Sequence, residues 1–284
     1  MRINHAAVFS TTLSALLMMT CLIGVCRSQE TRQTKNSSLI DAILFYPSDD
    51  SDGNWRPKGL PFEDVQFESA DGTKLHGWYC KCKDPQAIVL VAHGNAGNVA
   101  TRGWLLRELL TKVKVSVFLF DYRGYGRSEG KATIVGALAD TRAARTKLGE
   151  LASIKDSEMV LMGDSLGGAM VVQLAAESAP RGLVLQSTFS SLRDIAKVHF
   201  PSARTEIVDV KTLDSTNQIG GYSGPLFQSH GSADGTIPFE LGQKLFRAAN
   251  EPKTFYSVPG AGHNNWLTSE YLRELNSFIS KLPK

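Results

Sequence analysis

From Val65 onward, short apolar runs alternate with longer stretches of helical pattern, and this alternation leaves few folds open. The runs AIVLVA, VSVFLF, MVLM, LVLQS, PLFQS and TFYSV are continuous rather than alternating, as strands buried on both faces are. Helical patterning falls between them, around 104–110, 137–148, 166–177, 241–249 and 271–282. Repeated strand–helix–strand units of this length imply right-handed crossovers and a mostly parallel central sheet, an α/β class. Ahead of them, VQFES and KLHGWYCKC flank Asp71-Gly72 and read as an antiparallel hairpin, so the sheet is mixed. The stretch from Thr188 to Gly224 is less regular and is expected to be a small lid segment.

At the other end, Arg2 precedes an uncharged stretch from Ala6 to Cys26, and the polar RSQETRQTKNSS follows. A basic start, an apolar middle and a polar sequel predict a signal peptide or a membrane anchor over 1–28. Cleavage after Ser28 and retention as an anchor are both open, since about 20 apolar residues span a bilayer. The expected location is outside the cytoplasm, either exported (periplasmic or secreted) or membrane-anchored. Residues 29–60 read as an extended N-terminal segment and 61–284 as one domain, which at this size folds without disulfide or metal.

Charge excludes little but is informative on one point. The formal charge is +3, and Arg2 and Arg27 account for two of 31 basic residues against 28 acidic ones, so the rest is nearly neutral. No basic stripe suggests nucleic acid. Cys21 and Cys26 lie in the N-terminal stretch, preceded by Thr20 and Val25 where a lipid-attachment site usually has Gly or Ala. Cys80 and Cys82, spaced C-x-C, would share one face of a strand. They lack two further ligands nearby, and no H-E-x-x-H or similar spacing occurs, so neither metal nor cofactor is expected.

The chemistry concentrates at Gly163-Asp164-Ser165-Leu166-Gly167, a G-x-S-x-G that follows a strand and opens a helix. Such a serine sits in a tight turn, which requires small residues two before and two after it; Gly163 and Gly167 supply them. Its hydroxyl is a poor nucleophile without a neighbouring base. Of the six histidines, His5 lies in the N-terminal segment and His76 in the hairpin. His93, His230 and His263 follow parallel strands, at the carboxyl edge where open α/β sheets bind ligands. His93 and His230 precede Gly and suit loop bracing; His199 suits a surface or lid position. His263, last in the chain and in the loop PGAGH, is the expected base. Asp234, in HGSADGTIP between Ser165 and His263, is the expected acid that orients it. Asp209 and Asp214 are alternatives, and a loop acid such as Asp234 competes with a helix-capping role, as does Thr236. The oxyanion hole is assigned to the backbone N–H groups of Leu166 and Asn95, with Ala96 as the substitute for the latter.

Taken in order, HGNAGN, DYRGYGRSEG, GDSLGG, HGSADGTIP and the terminal Gly-His resemble the α/β-hydrolase superfamily, over roughly residues 62–282. Specifically, they look like its compact exported or membrane-associated serine-hydrolase branch, which includes protein depalmitoylases and many bacterial hydrolases. It implies Ser165 as nucleophile, Asp234 as acid and His263 as base, with Asp121, Arg123 and Gly124 shaping a loop. The implied activity is cleavage of a carboxylic ester or thioester in a small-molecule or acylated substrate through an acyl-enzyme. A serine peptidase on the same three residues and a non-catalytic binding module on the same fold are the competing readings.

Overall fold

The computed structural model describes residues 40–202 and 213–283. The predicted signal peptide or anchor, His5, Cys21, Cys26 and Asp209 lie outside the described residues. Among the described residues no helix is long and apolar enough to cross a membrane.

The central sheet has eight strands. They are β1 (Glu63–Glu68), β2 (Lys74–Cys80), β3 (Ile88–Ala92), β4 (Ser116–Asp121), β5 (Met159–Asp164), β6 (Gly182–Gln186), β7 (Leu226–Gly231) and β8 (Lys253–Val258). Their spatial order is β1-β2-β4-β3-β5-β6-β7-β8. β2 pairs antiparallel with β1 and β4, and every other pairing is parallel, the mixed sheet expected. β1 at the edge alternates exposed and buried residues, whereas β4 in the interior is buried throughout. That difference is why one reads as period two and the other as a continuous apolar run.

Helices cover both faces: α1 (Gly103–Glu108), α2 (Ile134–Ala152), α3 (Leu166–Glu177), α4 (Leu192–His199), α5 (Ser215–Gln218), α6 (Phe239–Ala248) and α7 (Ser269–Ser280). Val89, Val91, Val117, Leu119, Val160 and Met162 join Leu105 and Leu106 of α1 and Leu275 and Ile279 of α7 in one core cluster. On the opposite side α2 and α3 pack together. The helix after β3 is longer and less regular than expected. A 3₁₀ turn at Val99–Arg102 leads into α1, and a π-helical turn at Leu109–Val113 ends it at Lys114, whose φ is 54°. Asn98 starts this run by accepting the N–H of Thr101, so its onset depends on a cap rather than on the apolar period.

Two boundaries need correction. The compact unit begins at Leu44, so part of 29–60 is not an extended segment ahead of the domain. Phe45 is buried beside Tyr125, the Tyr46 N–H donates to the Asn95 carbonyl, and Asn98 Nδ2 donates to the carbonyls of Asp49 and Asp52. The segment is held by isolated anchors, buried Phe45 and Leu60 and these polar contacts, rather than by an apolar period, which is why it carries little pattern. β2 ends at Cys80, because the Cys82 N–H turns to the Ser116 hydroxyl, so the two thiols do not share a strand face. Burial pushes the Cys80 thiol up to about 12.

Candidate active site

Ser165 follows β5 with φ 54° and ψ −114°, a backbone conformation that a non-glycine residue adopts only under constraint. The constraint is visible on both sides. A Cβ on Gly167 would collide with the Ala92 carbonyl, and one on Gly163 would collide with the Gly167 carbonyl. The Ser165 N–H donates to the Gln186 carbonyl at 2.8 Å, tying the turn to β6. The result raises the hydroxyl above the carboxyl edge of the sheet, with the N-terminus of α3 behind it.

The structure brings the three residues singled out in the sequence into one line. His263 Nε2 lies 3.2 Å from Ser165 Oγ, and His263 Nδ1 lies 2.8 Å from Asp234 Oδ2. A carboxylate only accepts, so Nδ1 carries the proton and Nε2 is left to accept from the serine hydroxyl. Asp234 does not cap a helix; α6 begins at Phe239, behind Pro238. Its Oδ1 instead accepts the N–H groups of Thr236 at 2.9 Å and Ile237 at 2.8 Å, which leaves Oδ2 to face the imidazole. Asp214, the alternative acid, is occupied as the N-cap of α5.

The charges at the site reinforce one another. Burial pushes the Asp234 carboxyl up, but hydrogen bonds from His230, His263 and the Ile237 N–H outweigh it and hold the group well below the usual carboxylate range. For His263, burial acts downward, and the hydrogen bond and charge of Asp234, with the charge of Asp164, more than reverse it. Its imidazolium is therefore stabilised above the ordinary value of 6.5.

His93 and His230 each hold a loop carbonyl. His230 Nε2 donates to the Ile237 carbonyl at 2.8 Å and lies 3.4 Å from Asp234 Oδ2, so it braces the acid's loop. His93 Nδ1 donates to the Gly94 carbonyl at 2.7 Å, which fixes the plane of the Gly94–Asn95 peptide. In a trans peptide the Asn95 N–H then points opposite to that carbonyl. A Cβ on Gly94 would stand 3.5 Å from the Ser165 Cβ, so this peptide lies beside the serine. The Asn95 carbonyl accepts from Tyr46 and from the Tyr125 hydroxyl, and its Nδ2 donates to the Leu44 carbonyl, so the residue is held at three points. Leu166 is the first residue of α3, and its N–H has no partner within the helix.

The loop after β4 is organised as a support. Asp121 Oδ1 accepts the Val99 N–H, Gly124 takes φ 78°, and Arg123 bridges Asp140 of α2 to Asp71 in the hairpin turn. His76 pairs with Asp64 in the hairpin, and exposed His199 contacts the Thr236 carbonyl. Sequence reasoning left Arg102, Trp104 and Asp164 unassigned, although all three line one cavity together with Val91, Leu105, Met162 and Trp266.

Comparison with known proteins agrees with this architecture. The family profile described as serine aminopeptidase, S33 matches residues 83–213. An uncharacterized protein of Mycobacterium tuberculosis is 37% identical over 71% of this chain and 72% of its own length. The alpha/beta hydrolase domain-containing protein WAV2 of Arabidopsis thaliana is 32% identical over 74% of this chain and 75% of its own. Among solved structures, an esterase of Pyrococcus furiosus superposes with a TM-score of 0.68 at 21% identity, covering 84% of this chain and 98% of that one. At that identity the likeness is one of fold.

Proposed function

Because the chain belongs to the α/β-hydrolase superfamily, we propose that it is a serine hydrolase cleaving a carboxylic ester or thioester through an acyl-enzyme. The observation that carries this reading is the unbroken hydrogen-bonded line from Ser165 through His263 to Asp234.

Ser165 Oγ attacks the acyl carbon while its proton passes to His263 Nε2. The imidazolium so formed is stabilised by Asp234, and the developing oxyanion takes hydrogen bonds from the N–H groups of Leu166 and Asn95. Collapse expels the alcohol or thiol with the proton from Nε2 and leaves an acyl ester on Ser165. Water then repeats the sequence, with His263 as base, and releases the carboxylic acid. His93 contributes by fixing the peptide that carries the Asn95 N–H.

A fluorophosphonate probe tests the reading directly: it should label the wild type at Ser165 and leave Ser165→Ala unlabelled. Labelling that persists in a folded Ser165→Ala variant would remove the nucleophile, and the mechanism with it. The family profile favours a peptidase as the second reading, but its match ends before Asp234 and His263. Acyl esters turned over in preference to aminoacyl amides support the esterase; the reverse order supports the peptidase. From the N-terminal pattern alone we place the domain outside the cytoplasm, and a full-length product confined to the cytoplasmic fraction would refute that.

A further inference from the structure

The stretch from Gly94 to Asn98 carries the Asn95 N–H and lies outside the eight-stranded sheet and the helices. Its carbonyls are nonetheless all occupied. Gly94 accepts from His93 Nδ1. Ala96-Gly97 runs parallel to Tyr46-Pro47, and Asn95 and Gly97 accept the N–H groups of Tyr46 and Ser48 at 2.9 and 3.4 Å. In an extended chain successive carbonyls point to opposite sides, so those of Ala96 and Asn98 turn away from that neighbour. Both are taken by Arg102. Its Nη2 donates to the Ala96 carbonyl at 2.7 Å and its Nη1 to the Asn98 carbonyl at 3.2 Å.

Arg102 is itself fixed. It ends the 3₁₀ turn Val99–Arg102, and its Nη1 also donates to the Thr101 hydroxyl at 2.9 Å, which donates in turn to the Asn98 carbonyl. The loop lies against the guanidinium: Gly97 has φ 76°, and a Cβ there would stand 2.9 Å from Nη1. Burial acts against the Arg102 charge, and the charges of Asp164 and Asp121 act for it. Its donors nevertheless go to neutral oxygens, and among the described residues it makes no ion pair. A planar fork with donors at set angles spans two carbonyls, which a single ammonium does not.

Resting on the serine-hydrolase reading, we propose that Arg102 is a positioning residue for acyl transfer, holding the loop that carries the Asn95 N–H so that this donor is aimed before substrate arrives. Its donors reach the loop and not Ser165 or His263, so it acts through backbone alone. Without the fork, the peptide between Ala96 and Gly97 loses its tether. The glycines at 94 and 97 then leave the Asn95-Ala96 unit free to rotate at both ends. An oxyanion donor that must be ordered as charge develops adds that ordering to the barrier, whereas a preorganised one does not. The loss therefore falls on the step in which the oxyanion forms.

Two esters that differ in one atom test this: para-nitrophenyl acetate and its thiono analogue, with C=S in place of C=O. They share a leaving group and a shape. Sulfur is larger and a weaker hydrogen-bond acceptor, so aimed donors favour the oxygen ester, and the ratio of the two kcat/KM values reads the oxyanion hole. In the wild type this ratio should be about tenfold or more. Arg102→Met should lower kcat/KM for the oxygen ester by about 10²-fold and for the thionoester far less, so that the ratio falls towards one. Arg102→Lys keeps the charge without the fork and should give an intermediate ratio. A merely structural role would slow both esters alike. The wild-type ratio retained in a folded Arg102→Met overturns the proposal; if only Arg102→Lys folds, the same result there does so. A wild-type ratio near one, or the failure of both variants to fold, overturns it as well. Fluorophosphonate labelling and ester turnover by the wild type separate the two levels. With both present and the ratio unmoved, the role of Arg102 alone is refuted, whereas the absence of both refutes the serine hydrolase itself.

Discussion

In Asp234→Asn the side chain keeps its shape but exchanges one carboxylate oxygen for an NH₂ group. The remaining oxygen has two claimants. The N–H groups of Thr236 and Ile237 converge on Oδ1 at 2.9 and 2.8 Å, and His263 Nδ1 lies on Oδ2 at 2.8 Å. Leaving two N–H donors unsatisfied costs about 1–3 kcal/mol each, so the amide oxygen faces the loop and the NH₂ faces the imidazole. A donor there turns His263 to the other tautomer, with Nδ1 accepting and the proton on Nε2. That nitrogen then points a hydrogen at Ser165 and cannot take one from it. The expected loss in kcat/KM is about 10³–10⁴-fold, or about 4–5.5 kcal/mol of transition-state stabilisation. The assay is hydrolysis of an activated acetate ester at neutral pH, with circular dichroism to verify folding. Asp234→Ala serves as the contrast: it removes the loop's acceptor as well, so its Tm should fall several degrees below that of the Asn variant. Retention of more than about a tenth of wild-type kcat/KM in a folded Asp234→Asn would refute the assignment of Asp234 as the orienting acid.

Other consequences are equally measurable. Ser165→Ala and His263→Ala should each abolish most turnover and the double variant little more, since the two act as a unit; additive losses would contradict that. His263 must be neutral to act as base, and its imidazolium is held above 6.5, so the acid limb of kcat/KM should have its midpoint above 6.5. In Asp234→Asn the residual activity should show a lower midpoint, because the stabilising charge is gone, and a midpoint that stays put would argue against that electrostatic link. Gly167→Ala should lower stability by about 1–3 kcal/mol or more, as its Cβ meets the Ala92 carbonyl; a wild-type Tm would show that the elbow is looser than its packing implies.

The sheet and the line of three side chains were legible because each is written locally. Continuous apolar runs mark the buried strands, and the glycines at 163 and 167 mark a turn too tight for any Cβ. The helix after β3 was read too short, because Asn98 and a π-helical turn set its limits rather than its apolar spacing. Residues 44–60 carried little pattern, since their buried anchors, Phe45 and Leu60, are far apart in sequence and the rest is held largely through backbone carbonyls and N–H groups. The double duty of Asp234 was also hidden: its neighbours Thr236 and Ile237 contribute backbone, which sequence does not distinguish. Arg102, Trp104 and Asp164 come together only through the packing of α1 against the sheet, and no spacing in the chain announces that.

The close seating of Gly167 beneath the Ala92 carbonyl has a consequence for motion. β3 and β5 are adjacent and hydrogen-bonded, and the absent Cβ lets the turn after one strand interlock with the end of the other. The residue after Ala92 is His93, which fixes the Asn95 peptide, and the residue two before Gly167 is Ser165. The serine and the loop carrying Asn95 are therefore interlocked and are expected to move together. Any opening and closing at the site must then come from elsewhere, such as the loop bearing His263. Relaxation measurements on the microsecond-to-millisecond scale should find exchange there, while residues 92–95 and 163–168 stay quiet together.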